Sequence, residues 1–137
     1  MYATQADLEN RFGAEELAQR SDRINGSVID AAVVARALAD AEAEIDAYLA
    51  ARYQLPLVST PPILVRLACD IAIYRLCDTP PDEVRKRYED AVRDLKRAAD
   101  GVLVIDGAAV LDKSPSGIGV SFKSPGRVFN ADELAGY

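Results

Sequence analysis

A chain of 137 residues, half of them hydrophobic but 23 of those alanine, suffices for one domain with a core thin in bulky side chains. With no histidine, no tryptophan and only two cysteines, it can build neither a Ser-His-Asp nor a Cys-His nucleophile system, nor a zinc site of the usual Cys/His kind. A net charge of −6, with 10 acids against 5 bases in residues 1–60, argues against a phosphate-gripping nucleic-acid binder and places the acidity in the first half of the chain.

The opening Met1-Tyr2-Ala3-Thr4 leads into a capped amphipathic segment without the apolar stretch of a signal peptide, and no apolar run is long enough to cross a bilayer. A soluble, intracellular chain is the expectation. Thr4 caps a first short helix, with Asp7 three residues on as a capping-box partner. Leu8 and Phe12 share one face, and Gly13 interrupts before Ala14-Glu15-Glu16-Leu17 resumes the helix. Residues 21–27 form a loop turning at Asn25-Gly26.

Asp30 then caps the longest helix, about residues 31–53, in which ten alanines supply propensity. Val34, Leu38, Ala41, Ile45, Tyr48 and Arg52 repeat at 4-3-4-3-4 spacing, which predicts a narrow bundle seam. Pro56 ends it. Thr60-Pro61-Pro62 predicts a cap followed by proline in the first turn of a helix reaching about Cys77. That helix is apolar nearly all round (Ile63, Leu64, Val65, Leu67, Ala68, Ile71, Ala72, Ile73, Leu76) and belongs in the middle of a bundle. Asp78-Thr79-Pro80-Pro81 repeats the device. A fourth helix over about 82–100 keeps Val84, Tyr88, Ala91, Leu95 and Ala98 on one seam, with pairs such as Glu83/Arg87 and Arg85/Glu89 on its other faces. Gly101 closes it.

Six of the eight glycines fall in residues 101–137. Val102–Ile105, Asp106-Gly107 and Ala108–Leu111 predict a short β-hairpin. A loop follows over residues 113–119, then Val120-Ser121-Phe122-Lys123 alternates as a strand would, and Asn130 with Glu133 makes a capping box for a final turn ending at Tyr137. The expected fold is all-α: a bundle of about four helices over residues 1–101, followed by a hairpin and partly extended arm over residues 102–137.

Asp40, Glu42, Glu44 and Asp46 crowd one stretch of the long helix, with like charges at i,i+4 that cost helix stability. They read as a solvated acidic face, as a surface that repels DNA phosphates, or as a carboxylate metal site, for which no loop or second helix offers matching ligands. Arg66, Asp70 and Tyr74 share a stripe of the apolar helix and read as a paired polar stripe that orients it, in preference to an acid–base site. Cys69 and Cys77, roughly 12 Å apart along one helix, are too distant for a disulfide and read as small buried hydrophobes. Phe122, Lys123, Arg127, Val128 and Phe129 lie on a Gly/Ser-rich segment that cannot form its own core. They either fold back on the bundle or bind a neighbour, for example by adding a strand.

Several strings, taken in order, resemble a structural protein family of Mu-like prophages. They are Met1-Tyr2-Ala3-Thr4 with Asp7-Leu8, Arg11-Phe12-Gly13, Asp40-Ala41, Glu44–Leu57 (EIDAYLAARYQLPL), Leu67–Ala72 with Tyr74-Arg75-Leu76, Arg87–Ala91, and Arg127-Val128-Phe129. The family is similar to the head–tail connector adaptors of long-tailed phages, small helical subunits that form a ring beneath the portal through which DNA passes. The resemblance implies a non-enzymatic virion assembly subunit without cofactor or metal, assembled in the bacterial host cytoplasm. It implies a homo-oligomeric ring with the portal protein and a tail-completion protein as partners, DNA passing without sequence-specific binding, and no membrane. On this expectation Phe122, Arg127, Val128, Phe129 and Tyr137 make subunit or portal contacts, and Asp40, Glu42, Glu44 and Asp46 line an acidic channel face. The competing expectations are a small helical regulatory module of a prophage and, further off, a carboxylate-metal nuclease.

Overall fold

A computed structural model describes residues 1–111, and these carry five helices: α1 (Gln5–Phe12), α2 (Ala14–Ser21), α3 (Ala31–Leu49), α4 (Pro62–Leu76) and α5 (Asp82–Ala99). The all-α expectation holds. The expected single, interrupted first helix is two helices, because Gly13 ends α1 and begins α2. The Phe122, Arg127, Val128, Phe129 and Tyr137 contacts, the strand at 120–123 and the final turn lie outside the described residues.

Local chemistry sets most helix starts. Thr4 and Asp7 form a reciprocal capping box at α1, and the Asp30 carboxylate accepts the Ala32 and Val33 amides at 3.1 and 3.3 Å, each satisfying amides that have no partner inside the helix. Thr60 does not cap α4. Pro61, in extended backbone, takes the cap position and Pro62 the first helical one. Both rings fix φ near the value required there, so no side-chain cap is used. Pro81 does the same for α5.

α4 sits in the middle, packed on α3, α5 and α1. Leu64, Leu67, Ala68, Cys69, Asp70, Ile71, Ala72, Ile73 and Leu76 are all buried, which its all-round apolar pattern requires. α3 faces it with Val34, Ala37, Leu38, Ala41, Ile45 and Leu49. This stripe is broader than the expected seam, and Leu49 takes the deep position while Tyr48 is only half-buried. A straight helix turns 3.6 residues per turn, so a strict 3.5-residue repeat drifts off the contact line within two heptads. α5 buries Val84, Ala91, Leu95 and Ala98.

α3 ends at Leu49, four residues before the expected end, and the expected hairpin after α5 does not form. The two departures have one cause. The Tyr53 ring is buried under the bundle, and its hydroxyl accepts the Ile105 amide at 3.2 Å. The Gln54 amide donates to the Ala109 carbonyl and the Leu111 amide to the Arg52 carbonyl, both at 2.8 Å, giving an isolated antiparallel bridge between Tyr53 and Val110. The Asp106-Gly107 turn is present, with Gly107 at φ 75°. Beyond the Ala108 amide, which donates to the Ile105 carbonyl at 3.3 Å and closes the turn, its flanks do not pair with each other, because residues 109–111 pair with residues 52–54. Before the turn, the Val102 and Leu103 amides both return to the Arg97 carbonyl and close α5. Ile105 then plugs the core while Val102 and Val104 point to solvent. Gly101 has φ 83°, and a Cβ there would lie 2.7 Å from the Arg52 guanidinium carbon. The positive φ is what calls for glycine here, since the Arg52 guanidinium is the far end of a flexible side chain that can move aside.

Candidate functional site

The four clustered acids separate onto the two flanks of the buried α3 stripe, since residues two apart on a helix point to opposite sides. Asp40 and Glu44 lie on one flank, Glu42 and Asp46 on the other. Glu44 accepts from Arg75 of α4 at 2.6 Å and from the Tyr88 hydroxyl of α5 at 2.7 Å. Tyr88 stacks on Tyr74 at 4.0 Å between centroids with planes 8° apart, and the Arg75 guanidinium lies 5.4 Å from the Tyr88 centroid. One carboxylate thus ties three helices together. Asp46 accepts from the Tyr2 hydroxyl, and Glu42 lies 3.1 Å from the Met1 amine. Of the four, Asp40 alone is fully exposed. No continuous acidic face is formed by the set: three members hold other parts of the same chain.

Burial and the hydrogen bond to Glu44 push the Tyr88 phenol up to about 12 from an ordinary 10.0. Between those values the unfolded chain releases this proton while the folded chain keeps it. The contribution is therefore intact below about pH 10 and is lost as pH rises toward about 12. Tyr88→Phe is expected to lower stability at neutral pH by about 1–3 kcal/mol, through loss of a hydrogen bond to a charged acceptor. It is also expected to make the alkaline fall shallower. Urea unfolding across that range checks both; an unchanged alkaline slope would contradict the Tyr88–Glu44 link.

The Arg66–Asp70–Tyr74 stripe is paired. Arg66 reaches Asp70 at 3.4 Å and Asp94 of α5 at 3.2 Å. Burial pushes the Asp70 carboxyl above its ordinary value against the pull of Arg66, Arg87 and Arg11. The stripe thus joins α4 to α5, and Arg87 of α5, lying over the Phe12 ring, joins α5 to α1. Cys69 is buried, and burial pushes its thiol up to about 11. Cys77 is half-buried with its sulfur against Arg20. Burial still raises its thiol above the ordinary value, so neither cysteine is a ready nucleophile at neutral pH. Among the described residues, no group of three or more His, Cys, Asp or Glu side chains is placed to hold a metal ion. No helix among them is long and apolar enough to cross a membrane.

The surface of a different kind lies where α3 and α5 end and α4 begins. The linker of residues 53–61 carries no charge, and residues 101–111 carry only Asp106, in a chain whose charged fraction is 28%. The two segments meet through the Tyr53–Val110 bridge, and a Cβ placed on Gly107 would lie 3.6 Å from the Ser59 hydroxyl oxygen. Val58 is 93% exposed, Val104 73%, Val102 68% and Val110 50%. Isolated exposed valines are ordinary, but four on two joined segments that carry one charge, Asp106, form a valine-rich pole, with Gln54, Ser59 and Thr60 also exposed on it. Residues 112–137 follow directly from it. The hairpin signal pointed to this stretch; the Tyr53 side of the pole carried no separate signal beyond the Arg52-Tyr53-Gln54-Leu55-Pro56 string.

The family model described as "Bacteriophage Mu, Gp36" matches residues 2–123. That span takes in Phe122 and stops short of Arg127, Val128, Phe129 and Tyr137. A Haemophilus influenzae protein named "Mu-like prophage FluMu protein gp36" is 33% identical over 138 aligned positions, covering 100% of this chain and 98% of its own length. "Gene product J" of Escherichia phage Mu is 42% identical over 103, covering 73% of this chain and 72% of its own.

Proposed function

This chain belongs to the bacteriophage Mu Gp36 family, and on that footing we propose that it is a non-catalytic virion assembly protein, a head–tail connector subunit that forms a ring under the portal. The observation that carries the reading is the valine-rich pole from which the C-terminal residues depart. A monomer would leave it wet, whereas an assembly subunit buries it. The rest of the bundle supports the same use. Three of its carboxylates are occupied within the fold: Glu44 ties α3 to α4 and α5, Asp46 holds Tyr2 to α3, and Asp70 pairs with Arg66, which also reaches Asp94 of α5. A thin, alanine-lined core held by such polar links makes a rigid small block suited to repetition around a ring, where heterologous contacts close on themselves. The net charge of −6 lets DNA phosphates pass without adhering. Asp40 is the member of the acidic set free to face them. In this reading the partners are further copies of the chain, the portal protein and a tail-completion protein, and the location is the virion.

Co-expression with the portal protein of the same phage tests this. The expected result is a co-purifying complex whose electron-microscope images show this chain as a ring on the portal. A chain that elutes alone as a monomer, with the portal free of it, would contradict the proposal.

A further inference from the structure

We infer that the valine-rich pole is the docking site for residues Val120-Ser121-Phe122-Lys123 of a second copy of this chain, received as an added strand. The inference deepens the connector reading by naming the partner of that pole, and it rests on that reading for the choice of a second copy over the chain's own segment.

The receiving edge is residues 109–111. The Gln54 amide and the Arg52 carbonyl take up the Ala109 carbonyl and the Leu111 amide. In an antiparallel bridge of this kind the backbone N–H and C=O of the central residue, Val110, point to the opposite side. They form an outward edge beside a half-exposed Val110 side chain. An edge of this sort accepts an extended segment by main-chain hydrogen bonding, with alternate side chains supplying fit.

The occupant follows from three properties of the pole. Its exposed large hydrophobic side chains are all valine, which suits the apolar face of an alternating strand, with Gln54, Ser59 and Thr60 exposed beside them. Val120 and Phe122 supply such a face, with Ser121 and Lys123 on the other. Within residues 53–61 and 101–111 the one charge is Asp106, opposite in sign to Lys123. The chain beyond Leu111 begins at this edge, so every copy that presents the pole also carries the segment that fills it. Each subunit then donates in one direction and receives in the other, which is the head-to-tail contact a closed ring requires.

The test uses full-length chains without portal. One copy carries Val58→Cys, the other Phe122→Cys, and a short bismaleimide joins thiols that lie close. The parental chain, whose thiols are Cys69, buried in the middle of α4, and Cys77, just past its far end, sets the background. The expected result is a cross-linked species of two chains containing one peptide from each variant. Adding Val104→Asp to the Val58→Cys chain is expected to lower its yield by about tenfold, since a carboxylate would be buried unpaired, while the helical circular dichroism is unchanged. A chain carrying both cysteines that closes only on itself would overturn the inference in favour of the chain's own segment. Absence of any Val58–Phe122 product, or a yield indifferent to Val104→Asp, would also overturn it. Because no portal or virion is involved, failure here leaves the connector reading standing. Failure of portal binding, conversely, leaves this contact between copies to be judged on its own result.

Discussion

Replacing Leu67 by alanine should lower folding stability by about 2–5 kcal/mol, seen as a fall in Tm of more than about 8 °C and a matching fall in the urea midpoint. Leu67 is fully buried on α4, the helix packed on α3, α5 and α1. The loss has two parts, the transfer free energy of the removed carbons and the cavity left where the surroundings do not collapse. The second part is large here. α3 presents Ala37 and Ala41 to the core, and α5 presents Ala91 and Ala98. Alanine has no rotamers with which to fill a void, so the space persists. Val58→Ala is the control. It trims an aliphatic side chain that is 93% exposed, and should change stability by less than about 0.5 kcal/mol. A Leu67→Ala loss no larger than that of Val58→Ala would mean that α4 does not sit at the centre of the bundle.

That central position was legible in the sequence because burial on all sides demands apolar residues on all sides. The caps were legible for an equally local reason: Thr4 with Asp7, and Asp30, act on amides two or three residues away. The hairpin shows where local reading stops. Residues 102–111 do contain a turn and alternating exposure, with Ile105 inside and Val102 and Val104 outside, but a strand signal does not name its partner. The partner is the Arg52–Gln54 backbone, brought there by the burial of Tyr53 more than fifty positions earlier. The early end of α3 was hidden by the same contact.

The acidic stretch divides between two flanks of α3 for a related reason. Asp40, Glu42, Glu44 and Asp46 are close in sequence yet alternate across the helix. The partners of three of them sit 31 to 44 positions away, Arg75 and Tyr88 on Glu44, Tyr2 on Asp46 and the Met1 amine on Glu42, and only Arg75 and the amine offset charge. Charge density in sequence therefore overstated the acidity of the face. The Arg66/Asp70 stripe was readable because its first pairing is within one helix turn; Asp94, the other anchor of Arg66, was not. What the family resemblance added was the phage assembly context, which no spacing or composition supplies.

The central claim, a subunit that completes the head and receives the tail, is tested most directly by deleting its gene from the phage or prophage that encodes it and imaging the lysate. The account predicts DNA-filled heads and separate, complete tails. It also predicts a loss of infectious particles by orders of magnitude, and joining restored when the intact chain is supplied in trans. Joined, infectious particles at the ordinary yield without it, or a lysate with no filled heads at all, would contradict a role at that junction.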